Sequence, residues 1–158
     1  MFSTTFILSS FLLILPILLL LGCQNSFNTP TSKVESFFHK YQELDKNVLK
    51  DLDNILDKEN LTQKQKEKYK ELLKRQYQNL SYKIKSEDIE KTNAIVETEI
   101  EVLDYNVKES NINKKLDKMK LVDNKKKYNI TFYLTKENGI WKIDNLEDED
   151  YQKINGLY

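Results

Sequence analysis

From Lys33 onward, Val34, Phe37, Phe38, Tyr41, Leu44, Val48, Leu52, Ile55 and Leu56 recur at spacings of three and four, with Lys, Glu and Asp filling the opposite face. This period predicts one amphipathic helix of about 22–24 residues, ending at Asp57-Lys58-Glu59-Asn60. Thr62 followed by Gln65 forms a T-x-x-Q capping box, in which two side chains satisfy free backbone donors at a helix start. A second helix follows, with Tyr69, Leu72, Leu73, Gln76, Tyr77 and Leu80 along one face. The period then changes to two. Tyr82 and Ile84 suggest a short strand. Ala94, Val96, Thr98, Ile100 and Val102 alternate with Ile95, Glu97, Glu99, Glu101 and Leu103, which predicts a strand with one dry face and one largely acidic wet face. Tyr128, Ile130, Phe132 and Leu134 repeat the pattern.

Asn138-Gly139 is the favoured pair for a two-residue type I′ turn, where both positions need positive φ. Closing that turn sets Leu134 opposite Ile143 and Lys136 opposite Trp141, so the dry faces of the two strands match. Ile112, Leu116 and Met119 suggest a short helix within residues 108–122. A last short helix follows Asn145, with acidic residues in its first turn, favourable against the helix dipole, and Gly156 ending it. Helices segregated from antiparallel strands define an α+β domain. Two N-terminal helices are expected to pack on the sheet's dry face.

The N-terminus follows a different pattern. Residues 1–22 carry no charge, and Phe6 to Leu21 is interrupted only by Ser9, Ser10 and Pro16. This run is shorter than the roughly 20 residues of a spanning helix and fits the apolar region of a secretory signal. It ends in Leu20-Leu21-Gly22-Cys23, which resembles a bacterial lipobox. The resemblance implies a lipoprotein signal peptide over residues 1–22, cleavage after Gly22, and lipid attachment to the Cys23 thiol. No Lys or Arg precedes the apolar run, a departure from the usual signal pattern. Gln24 to Ser32 is uncharged and polar and suggests a tether, making residues 23–32 a linker and residues 33–158 the folded domain.

Composition narrows the function classes. One Cys excludes a disulfide scaffold and a Cys-rich zinc module. Three Gly leave no Gly-rich phosphate loop. Formal net charge is zero, against the basic surplus of a nucleic-acid binder. Charge is nonetheless uneven: residues 106–127 are rich in Lys (Lys114, Lys115, Lys118, Lys120, Lys125 to Lys127). That stretch reads as a connector balanced by acidic neighbours, with contact to anionic envelope polymers or lipid headgroups as the alternative.

The segments Tyr77-Gln-Asn-Leu-Ser-Tyr82, Ala94-Ile-Val-Glu-Thr-Glu-Ile-Glu-Val102, Tyr128-Asn-Ile-Thr-Phe-Tyr-Leu134 and Lys136-Glu-Asn-Gly-Ile-Trp-Lys-Ile-Asp144 together resemble the NTF2-like (cystatin-like cone) superfamily of small bacterial lipoproteins, over roughly residues 33–158. The resemblance implies a curved antiparallel sheet wrapped around helices, leaving a cone with one open end. Enzymes, ligand binders and assembly modules all share that fold. Catalytic members carry carboxylates or Asp/His pairs inside the cone. Here the dry positions hold Ala, Val, Thr, Ile, Tyr, Phe and Leu, while Glu97, Glu99, Glu101 and Asp144 fall on the opposite parity. No enzymatic activity, cofactor or metal is therefore expected.

His39, the only histidine, lies on a helix flank with no partner spaced for acid–base or metal chemistry. The glutamate ladder reads as a solvated face that discourages edge pairing. Phe37, Tyr41, Tyr82, Phe132 and Trp141 are the candidates to line a pocket at the cone mouth, although such aromatics more often form core. Tyr105, Tyr133, Tyr151 and Tyr158 are candidate surface contacts. The expectation is a lipid-anchored, extracytoplasmic envelope protein. It would be tied to the membrane at Cys23 and bind an envelope protein or a small ligand. The alternatives are a structural or assembly module and, less favoured, an enzyme resembling the SnoaL type.

Overall fold

Thr29 opens the first helix where a tether was expected. Its hydroxyl accepts the Ser32 amide at 3.1 Å, and the Ser32 hydroxyl accepts the Thr29 amide at 3.0 Å. Pro30 occupies the first helical turn, where its missing N–H costs nothing. The computed structural model describes residues 28–58, 60–105, 114, 117–120, 122–156 and 158. Within them, the elements run α1 (Pro30–Gln42), α2 (Lys46–Lys58), α3 (Gln63–Asn79), β1 (Ser81–Glu90), β2 (Asn93–Leu103), β3 (Lys125–Glu137), β4 (Ile140–Ile143) and α4 (Asp148–Ile154). The chain is α+β. α1 begins at Pro30, three residues before Lys33.

The single long N-terminal helix is corrected. It divides at Leu44, whose φ is 54°. The Asp45 amide donates to the Lys40 carbonyl at 2.9 Å and the Leu44 amide to the Tyr41 carbonyl at 3.1 Å. This is the Schellman pattern that closes a helix, with leucine in the left-handed position usually held by glycine. The Asp45 carboxylate then accepts the Asn47 amide at 2.8 Å and starts α2. Three helices therefore precede the sheet. α3 begins as the sequence predicts, with Thr62 and Gln65 in a reciprocal capping box.

The four strands form an antiparallel meander in the order β1-β2-β3-β4. Ala94 pairs with Leu134, Val96 with Phe132, Thr98 with Ile130 and Ile100 with Tyr128, so the predicted dry positions of β2 and β3 share one face. Leu134 pairs with Ile143 and Lys136 with Trp141, as the turn register requires. Asn138 and Gly139 have φ of 50° and 81°. β1 is longer than the short strand expected, and a bulge at Lys85 shifts its register. Bulges and charged side chains protect a free sheet edge from pairing.

The core lies between the dry face and the helices. Val34 and Phe38 of α1, Leu52 and Leu56 of α2, and Tyr69, Leu72, Leu73 and Tyr77 of α3 are buried against Val96, Ile100, Ile130, Phe132 and Leu134. α1 crosses β1, β2 and β4. α4 follows the acidic start predicted for it, and Gly156 (φ 66°) follows its end. Of the helix expected within 108–122, Lys114, Asp117 and Lys118 are helical and Met119 is buried; Ile112 and Leu116 lie outside the described residues.

Candidate functional site

Four of the five aromatics expected at a cone mouth pack together at the core: Phe132 is buried, and Phe37, Tyr41 and Tyr82 are half-buried against it. Phe37 lies 5.4 Å from Phe132 and 4.8 Å from Tyr41, centroid to centroid. Phe38 stacks on Tyr82 at 4.6 Å and meets Phe132 edge-on at 5.4 Å. Tyr41 meets Tyr77 at 4.9 Å. These rings fill space against one another, with edge-to-face geometry that favours aromatic packing. Trp141 occupies the same face farther out, on β4, where Lys136 Nζ lies 5.4 Å from its ring centroid. Burial raises the phenol pKa values of Tyr41 and Tyr77 well above the ordinary value, and Tyr77 donates to Asn155 Oδ1 at 2.8 Å.

Among the described residues the buried polar side chains, Gln76, Thr98 and Asn155, are neutral. The Gln76 side chain accepts from the Leu103 amide at 3.0 Å and donates to the Ile154 carbonyl at 3.1 Å. The Thr98 hydroxyl, on the dry face of β2, is buried without a hydrogen-bond partner. Of the tyrosines named as candidate surface contacts, Tyr105 is buried and donates to the Leu72 carbonyl at 3.0 Å.

The opposite sheet face is open. In its glutamate ladder Glu97 accepts from the Ser86 hydroxyl at 3.2 Å, and Glu99 and Glu101 are matched by lysines on the neighbouring strands. Glu99 meets Lys127 at 2.9 Å and Lys85 at 3.4 Å, and Glu101 meets Lys125 at 3.2 Å. The hydrogen bond from Lys127 holds the Glu99 pKa below the ordinary carboxylate value, whereas a general acid at neutral pH needs a raised one. The basic run 125–127 is thus largely a partner of this ladder, and Lys126 stacks on Tyr128. Among the described residues no group of His, Cys, Asp and Glu could hold a metal ion. His39 lies on the surface beside Glu43 at 3.2 Å.

Two features of the open face stand out. Ile95 pairs with Tyr133 across β2 and β3, and they are 39% and 54% exposed. Beside them a groove of about 190 Å³ runs between Asn129, Thr131 and Tyr133 of β3 and the segment from Asn145 to Lys153. Lys153 lines it, paired with Glu149 at 2.9 Å and Asp150 at 3.0 Å. The hydrogen bond that Lys153 donates to Glu149 is the first cause of its raised pKa. The groove exists because β4 is only four residues long: beyond it α4, instead of a strand, flanks β3. Alternation in the sequence places Asn129, Thr131 and Tyr133 on the wet face. Their meeting with Lys153 is a tertiary event that no local pattern signals.

Leu20, Leu21, Gly22 and Cys23 lie outside the described residues. Among the described residues, no helix is long and apolar enough to cross a membrane. No protein-family model, curated protein or solved structure matches this chain.

Proposed function

We propose that the chain is a bacterial lipoprotein with an NTF2-like domain. The lipid sits on Cys23, and the domain is a non-enzymatic binding module on the extracytoplasmic face of the membrane. Its partner is another envelope protein, seated on the open sheet face. The observation that carries this reading is the exposed Ile95–Tyr133 pair beside the Lys153 groove. A protein interface takes a tyrosine-centred apolar patch with a polar rim. The groove is smaller than the roughly 300–1,000 Å³ of small-molecule sites, and the interior positions hold packed rings, which favours a protein partner over a small ligand. The neutral interior and the lysine-paired carboxylates support the absence of catalysis.

Affinity capture from solubilised envelope, with the full-length protein as bait, tests this. The wild type retains a specific partner, and the Ile95→Ser/Tyr133→Ser variant loses it at an unchanged melting temperature. Recovery of the same partner by both baits would assign binding elsewhere.

A further inference from the structure

Asn28 ties the start of α1 to the free edge of β4. Its side-chain amide donates to the Gly139 carbonyl at 2.7 Å, and its side-chain oxygen accepts the Trp141 amide at 3.1 Å. Ile140 lies between these two contacts. Three residues on, the Thr31 amide and hydroxyl donate to Glu87 of β1 at 2.8 and 2.6 Å. The chain therefore enters the domain strapped across one end of the sheet, between the β1–β2 turn and the β3–β4 turn. At this end Ile89 is 50% and Ile140 is 52% exposed.

Five residue steps separate Cys23 from Asn28. Fully extended, they span at most about 18 Å. β3, with 13 residues, is about 40 Å long. An acyl chain on Cys23 thus keeps the two turns near the bilayer, with the paired Leu103 and Lys125 at the opposite end of β2 and β3. We infer that the two hairpin turns, with Ile89 and Ile140 as their apolar contacts, seat on the lipid surface and fix the domain upright on the membrane. The inference rests on the lipid-anchor reading of Cys23. Lys91 and Lys136 flank the isoleucines together with Glu90 and Glu137, a mixture suited to the headgroup layer and unsuited to the hydrocarbon core. In this orientation the Ile95–Tyr133 face stands perpendicular to the membrane, open to a partner.

The test uses the full-length protein matured in its own membrane, purified, and reconstituted in vesicles of phosphatidylethanolamine and phosphatidylglycerol. With Cys23 acylated, Ile140→Cys and, separately, Lys120→Cys each carry one thiol for a polarity-sensitive dye. The label at 140 shifts to the blue in vesicles, the label at 120 reports water, and adding Ile89→Ser reduces the shift at 140. Water-like emission at 140 in protein whose mass shows an acylated Cys23 overturns the seating and leaves the anchor intact. A shift that grows only with protein-to-lipid ratio assigns the turns to a second copy and equally overturns it. Dye on an unacylated Cys23, seen by mass alone, overturns the anchor reading and the seating built on it.

Discussion

The Gln76 side chain is wedged between two backbone segments that no strand pairing joins. Its oxygen accepts the Leu103 amide at 3.0 Å, where β2 leaves the sheet, and its nitrogen donates to the Ile154 carbonyl at 3.1 Å, where α4 ends. Gly156 packs against it: a Cβ there would stand 3.2 Å from the Gln76 amide carbon. Together with the Tyr77–Asn155 hydrogen bond, this neutral amide on α3 holds the last helix against the core.

Gln76→Leu keeps the volume close and leaves a buried N–H and a buried C=O without partners. Each such loss costs about 1–3 kcal/mol. Chemical denaturation is expected to show a loss of about 2–6 kcal/mol, with α4 amides exchanging hydrogen faster than those of β2 and β3.

Thr98→Val has the opposite sign. The Thr98 hydroxyl is fully buried without a partner, and an unsatisfied hydroxyl in an apolar setting costs about 1–3 kcal/mol. The valine variant is expected to gain about 1 kcal/mol, read as a higher denaturation midpoint at an unchanged slope.

Leu44→Gly tests the break between α1 and α2. A left-handed leucine carries about 1–2 kcal/mol of backbone strain, and its half-buried side chain offsets much of that by packing on the core. The two terms nearly cancel, so the variant is expected within about 0.5 kcal/mol of wild type. Leu44→Val keeps a side chain that is β-branched and ill-suited to positive φ, and should destabilise the protein.

Alkaline pH should unfold the domain before its buried phenols ionise. Burial raises Tyr105 from 10.0 to about 12, against the lowering effect of Arg75, and raises Tyr41 and Tyr77 further. The unfolded chain gives up these protons near pH 10 while the folded one keeps them, so the native state binds more protons and stability falls as pH rises through that window. At about pH 11 each buried tyrosine removes about 1 kcal/mol. Melting temperature should be flat to about pH 9 and then fall, with tyrosinate absorbance appearing in step with unfolding.

Much of this architecture is legible in the sequence. The Asn138-Gly139 turn fixes the β3–β4 register because both residues tolerate positive φ, and the period-two alternation identifies Ala94 to Val102 as the dry face of β2. The Thr62–Gln65 box marks the start of α3. What escapes has local causes. Leu44 adopts a conformation that its residue type disfavours, so periodicity runs through the break. Thr29-Pro30-Thr31-Ser32 has the uncharged polar composition of a linker, yet its Thr, Pro and Ser sit at the positions where a helix start uses them. The groove beside Tyr133 and the Asn28 clasp on β4 join residues far apart in sequence. The aromatic set Phe37, Tyr41, Tyr82 and Phe132 is recognisable as a cluster from periodicity, while its packing as core is decided by ring-to-ring fit.

The most direct measurement is the intact mass and fractionation of the protein expressed in a bacterial host, with Cys23→Ser beside it. A mature chain beginning at Cys23, increased by the mass of a diacylglyceryl group and recovered in the membrane fraction, is the expected result, with the Cys23→Ser protein uncleaved and unacylated. A wild-type chain that retains residues 1–22 and a free Cys23 thiol would contradict it.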